Sequence, residues 1–172
     1  MYSHAMPAYP LHLEDWQTML SVQGEAAATL TGLVFVAVSI NLAKIIAFPG
    51  LPSRAAESIV QFLQVYFICT VAMVPGQSAM LVGAEILCIA LVSWVMQATA
   101  QVRYARLKTG HPKLWLIIRL LQTQLASIPF FVAVACIFAG ERGALNWLVL
   151  GFVFSFVAGV GNAWVLLVEV AR

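Results

Sequence analysis

Five long apolar runs, separated by short polar or Gly/Pro-rich breaks, set the pattern of the chain. About 20 apolar residues at 1.5 Å rise cross a hydrocarbon core of ~30 Å. The pattern predicts spans over residues 24–46, 58–74, 78–97, 114–138 and 145–168. Phe48-Pro49-Gly50-Leu51-Pro52 separates the first span from the second, with Arg54 and Glu57 expected in a polar loop. The second span is then short and should stand nearly upright. Pro75-Gly76-Gln77 predicts a tight uncharged turn. The third span is expected to run on as a helix into solvent through Arg103 and Arg106, until Gly110 and Pro112 stop it. Pro129 should kink the fourth span, and Gly140 to Gly143 should turn the chain into the fifth.

Ahead of the first span, Pro7 and Pro10 oppose a helix. Leu13, Trp16 and Leu20 then recur at helical spacing, which predicts an amphipathic helix over residues 11–22 lying in the membrane interface, with Trp16 at headgroup level, and running straight or with a bend into the first span. The fold class that follows is an all-α membrane protein, a bundle of about five transmembrane helices preceded by a short interfacial amphipathic helix. Residues 1–172 are expected to form a single integral membrane domain.

Composition removes the main alternative. Hydrophobic residues make up 62% of the chain and charged residues 9%, against roughly 25% charged in a soluble domain. No basic stretch followed by a short apolar run opens the chain, so no cleavable signal peptide is expected. The basic residues flank the apolar runs, so the net charge of +2 implies no nucleic-acid partner. With five spans, eight of the nine basic residues fall on one side: Lys44, Arg54, Arg103, Arg106, Lys108, Lys113, Arg119 and Arg172. The other side holds Arg142 with Glu14, Asp15 and Glu141. The positive-inside rule then puts the N-terminus outside and the C-terminus in the cytoplasm. Arg103, Arg106, Lys108 and Lys113 form a juxtamembrane patch suited to anionic lipid headgroups.

Two stripes of small residues recur at every fourth position, a spacing that lets helix backbones approach closely. The first is Gly24, Ala28 and Gly32, and the second is Gly151, Ser155, Gly159 and Ala163. They are expected to pair the first span with the fifth, or to join two subunits of a homo-oligomer.

Polar side chains inside spans are costly and mark function by default. Glu85 falls near the middle of the third span, where it is a candidate proton or cation site or a protonated hydrogen-bonding group. Glu57, Gln61 and Gln64 share one helical face at i, i+4 and i+7, and Arg119 shares another with Gln122 and Thr123. These faces could form a cytoplasmic-side cluster between the second and fourth spans, with Glu57 or Glu169 compensating Arg119. Asn41 and Asn162 lie toward the same side. The candidate ion or proton path is therefore Glu85, Gln61, Gln64, Asn41, Arg119 and Gln122. Interhelical hydrogen bonding, at ~0.6 kcal/mol per contact, explains the same residues without transport.

Nothing in the chain points to catalysis, a cofactor or a metal. His4, His12 and His111 are isolated, and the spans contain neither His nor Asp. Cys69, Cys88 and Cys136 lie apart inside apolar runs, an odd set without a C-x-x-C pair, and are expected to pack as small hydrophobes.

The run GEAAATLTGLVFVAVSINLAKII, followed by FPGLPSRAAESIV and VPGQS, resembles a group of small bacterial multi-span membrane proteins of uncharacterised function. Their hallmark is A-A-x-L-T-G-L-x-F-V-A-x-S-I-N-L. The resemblance covers most of the chain and implies the bacterial inner membrane. Some members carry the label "modulator of FtsH protease", which implies a membrane AAA protease as partner. Two functions are then expected in order: a self-associating interaction or regulatory protein without enzymatic activity, or a small homo-oligomeric ion channel or transporter.

Overall fold

In the computed structural model, residues 13–48, 50–106, 113–141 and 143–171 are described. A single 3-10 turn, Leu13–Trp16, leads into α1 (Gln17–Ile40), which is followed by a short α2 (Leu42–Ala47). Four long helices complete the chain: α3 (Leu51–Ala72), α4 (Ala79–Arg106), α5 (Lys113–Ala139) and α6 (Ala144–Ala171). There is no strand among the described residues. Five helices, α1 and α3 to α6, are long and apolar enough to cross a membrane.

Helices α3, α4, α5 and α6 form a closed ring in which each packs on the next and α6 returns to α3. Short turns at Gly76 and Gly140, both with φ of +74°, make successive ring helices antiparallel. Positive φ is open to glycine because it lacks a Cβ. Helix α1 lies outside the ring against α3, through Leu20, Gly24, Ala27 and Val34.

The expected pairing of the two small-residue stripes does not occur. Helix α1 meets α6 only marginally. Of its stripe, Gly24 is buried against Cys69, whereas Ala28 and Gly32 are exposed and nothing lies within 4 Å of a Cβ placed on Gly32. The α6 stripe is used inside the chain. Gly151 seats the Phe130 ring of α5 and Gly159 seats the Phe62 ring of α3, at ring-to-Cβ distances of 2.6 and 2.5 Å had a Cβ been present. Ser155 is fully buried and Ala163 half-buried. Spacing showed that close approach was possible, but two aromatic rings, not a facing glycine helix, fill the space.

Three local expectations are met only in part. The segment predicted as an interfacial helix enters α1 without a break, and Leu13, Trp16 and Met19 pack on the apolar core while Leu20 is buried in it; residues 11 and 12 lie outside the described residues. Second, α3 begins at Leu51, so Arg54 and Glu57 belong to its first turns, not to a loop. Gly50, at φ +98°, makes the turn, and Pro52 sits in the first turn where its missing N–H costs nothing. Third, α4 runs on as a helix through Arg106 as expected, with Val102, Arg103 and Ala105 exposed, but Gln101 and Tyr104 on its other side are buried. The first helix is interrupted at Asn41, whose amide donates to the Ala37 carbonyl at 2.9 Å. Pro129 lies inside α5 without ending it.

Candidate functional site

Arg119 sits in the second turn of the described part of α5 and points into the ring, 3% exposed. Its Nε donates to Glu57 Oε2 at 2.9 Å and its Nη2 to Glu57 Oε1 at 2.6 Å. Nη2 also donates to Ser53 Oγ at 2.9 Å. The Tyr104 ring of α4 lies 4.6 Å from the guanidinium carbon, within cation–π range. The same ring closes over Gly50, where any side chain would collide with it. One buried ion pair thus ties α3, α4, α5 and the α2–α3 turn together.

The rest of the ring is bridged in the same half. Gln61 Nε2 donates to Gln97 Oε1 at 2.6 Å between α3 and α4. Gln101 donates to Thr123, and Trp94 to Gln124, between α4 and α5. Gln122 Nε2 donates to the Ala158 carbonyl at 3.2 Å between α5 and α6. Ser58 Oγ donates to the Gly159 carbonyl at 3.0 Å between α3 and α6. Every adjacent pair of ring helices is joined by at least one of these bonds. The other half of the ring is an apolar core that includes Ile68, Val82, Ile86, Ala133, Val134 and Leu148. The bundle therefore has a polar end and an apolar end.

Of the residues singled out in the sequence, Gln61, Gln64 and Arg119 are buried together in the polar half with Glu57, and Gln122 is half-buried beside them. Asn162 is buried on α6. Glu85 does not join them. It lies twelve residues before Gln97 on α4, about 18 Å of helical rise away, half-buried and bonded through both oxygens to Gln77 Nε2 at 3.1 Å. Asn41 is outside the ring, at the α1–α2 break. Of the basic patch, Arg103 is exposed, Arg106 ends α4, Lys113 begins α5, and Lys108 lies outside the described residues. Among the described residues, no three His, Cys, Asp or Glu side chains gather as they would around a metal.

Sequence reasoning passed over Ser53, Gln97, Gln101, Tyr104 and Ser127. A signal was present for three of them, since Gln97, Gln101 and Tyr104 repeat the i, i+4, i+7 spacing of Glu57, Gln61 and Gln64. Not all polar atoms in this half are satisfied by protein groups: both amide atoms of Gln64, the hydroxyls of Ser127 and Ser155, and Arg119 Nη1 have no partner within the chain.

No family model matches the chain, and neither a curated protein nor a solved structure is found to be similar to it.

Proposed function

We propose that the chain is a non-enzymatic integral membrane protein of the bacterial inner membrane that acts by self-association and regulatory interaction. The observation that carries this reading is the use of polar side chains. Several of the costly intramembrane groups are spent on bonds between helices of one chain, led by Arg119–Glu57 and followed by Gln61–Gln97 and Gln101–Thr123, and the exterior carries many large apolar side chains. Leu33, Phe35, Ile40, Val157 and Trp164 are among the large side chains on that surface, suited to lipid. The positive-inside argument orients the polar half toward the cytoplasm, with the N-terminus outside.

Self-association is assigned to α1. It is the least buried of the five long helices, and its hydroxyls turn back on its own carbonyls, Thr29 to Glu25 at 2.8 Å and Ser39 to Phe35 at 2.8 Å. The exposed Ala28 and Gly32 leave it a smooth face. Resemblance to the bacterial group adds a membrane protease as a candidate partner. The test is the mass of the purified protein in nanodiscs, together with oxidative cross-linking of Gly32→Cys in a background lacking the native cysteines. A defined oligomer cross-linked at Gly32→Cys is expected, and a monomer at every protein concentration contradicts the reading.

The unpartnered atoms of Gln64, Ser127 and Ser155 favour a second reading, transport of an ion or proton through the polar half. Flux through proteoliposomes that Gln64→Leu abolishes would establish it. Wild-type flux equal to that of empty liposomes would remove it.

A further inference from the structure

The register of the ring places three of the unpartnered side chains at one depth. On α3 and α6, Ser58 bonds to Gly159 and Phe62 packs on Gly159, so Gln64 falls level with Ser155 to within about one helical turn. On α5 and α6, Gln122 bonds to Ala158 and Phe130 packs on Gly151, which brings Ser127 to the same level. The parallel offset between α3 and α5, set by Glu57–Arg119, independently matches Gln64 with Ser127. Gln64, Ser127 and Ser155 are each about 1% exposed or less. The next turn toward the polar end holds the Gln61–Gln97 pair, whose Oε1 and Nε2 atoms respectively are also unpartnered. The next turn toward the apolar end is closed by the Phe130 and Phe152 rings, 5.8 Å apart.

We infer that this layer is a binding site for water, an internal hydrated chamber where the polar half of the ring meets the apolar half. The chemistry selects the ligand. No charged side chain belongs to the layer. Each glutamine amide presents one donor end and one acceptor end whichever way it is turned, so a bare cation meets donors and an anion meets acceptors. A neutral molecule that both donates and accepts fits all of the groups. Other helical hydroxyls find a partner within the chain, on their own backbone as Thr31 does to Ala27 at 2.7 Å and Thr70 to Tyr66 at 2.8 Å, or on a neighbouring helix as Ser58 does to Gly159. The hydroxyls of Ser127 and Ser155 do not. Leaving such groups dry is costly, and buried waters normally make about three bonds to polar atoms of this kind. The chamber is independent of the self-association reading and exists in each copy of the chain.

The test is water-edited solid-state NMR on the isotopically labelled full-length protein in liposomes. The side-chain amide protons of Gln64 and Gln97 are expected to receive magnetisation from water several-fold faster than the backbone amide of Ala133 in the apolar core, approaching the exposed Gln17. Transfer to Gln64 as slow as that to Ala133 overturns the inference. Ser155→Ala supplies a second readout. In a hydrated chamber it removes a water contact and lowers the thermal midpoint, whereas in a dry layer it removes an unsatisfied hydroxyl. An unchanged or raised midpoint therefore also overturns the chamber.

Discussion

Arg119 and Glu57 meet across the diagonal of the four-helix ring, not along its perimeter, through a two-pronged contact with N–H···O bonds of 2.9 and 2.6 Å. A diagonal bond fixes the separation of helices that are not neighbours in the ring. Contacts along the perimeter, such as Ser58 to Gly159, fix only adjacent spacings. The pair therefore sets the cross-section of the polar half, and Tyr104 and Ser53 hold the guanidinium in the plane that makes both bonds.

Arg119→Lys is expected to behave as a disruptive change. A lysine ammonium cannot make the planar fork with Glu57 while also reaching Ser53 and stacking on Tyr104. A loss of about 1–3 kcal/mol is expected. Equilibrium unfolding in mixed micelles reads it, and an unperturbed midpoint would show that the fork geometry is immaterial.

Gly159→Leu and Gly151→Leu should destabilise the isolated chain, because each forces an aromatic ring out of its seat. Overpacking of this kind costs about 1–3 kcal/mol. Gly159→Ala should be destabilising for the same reason, and adding Phe62→Leu should cost less in the Gly159→Ala background than in the wild type, since the smaller side chain vacates the space above residue 159. Thermal scans of the single and double variants in detergent check this, and strictly additive losses would mean that the Phe62 seat is not the cause.

Gly32→Leu should leave the fold intact and change only association. Nothing lies within 4 Å of a Cβ at that position. The thermal midpoint of the monomeric fraction is expected to match the wild type while the oligomer shifts toward smaller species. A large fall in that midpoint would place Gly32 against part of its own chain.

Gly50→Ala combines two costs. The residue holds φ at +98°, and its α-carbon lies under the Tyr104 ring. Strain alone is worth roughly 1–3 kcal/mol. Tyr104→Ala is itself costly, because the ring is buried and stacks on Arg119, but it removes the collision, so in a denaturation series the double variant should lose less than the two single changes added together. Losses that simply add would show that the Tyr104 ring does not contribute to the cost at residue 50.

The long helices were legible because a span length of apolar residues has few other meanings, and the expected and observed ends of α5 and α6 differ by one to three residues. The face of Glu57, Gln61 and Gln64 was legible from helical spacing alone. The neighbour of each helix was not. Helices that are apolar nearly all round carry little information on which side turns inward, so Gly24, Ala28 and Gly32 looked like the partner of Gly151, Ser155 and Gly159. The outcome depended on Phe62 and Phe130, residues that read as ordinary apolar positions. The buried end of α4 was obscured for another reason. Arg103 and Arg106 suggested an aqueous extension, although Gln101 and Tyr104 face inward from the same turns.

The polar residues join the helices of one chain by pairing with each other, and a double-mutant cycle at Glu57 and Arg119 is the sharpest probe of that pairing. Glu57→Leu and Arg119→Met, made singly, each leave a buried charge unpaired and should cost about 3–5 kcal/mol. The double variant replaces the pair by apolar side chains and should lie within about 1 kcal/mol of the wild type, or above it. Losses that simply add in the double variant would show that the two residues are not energetically coupled and that the buried pair does not join α3 to α5.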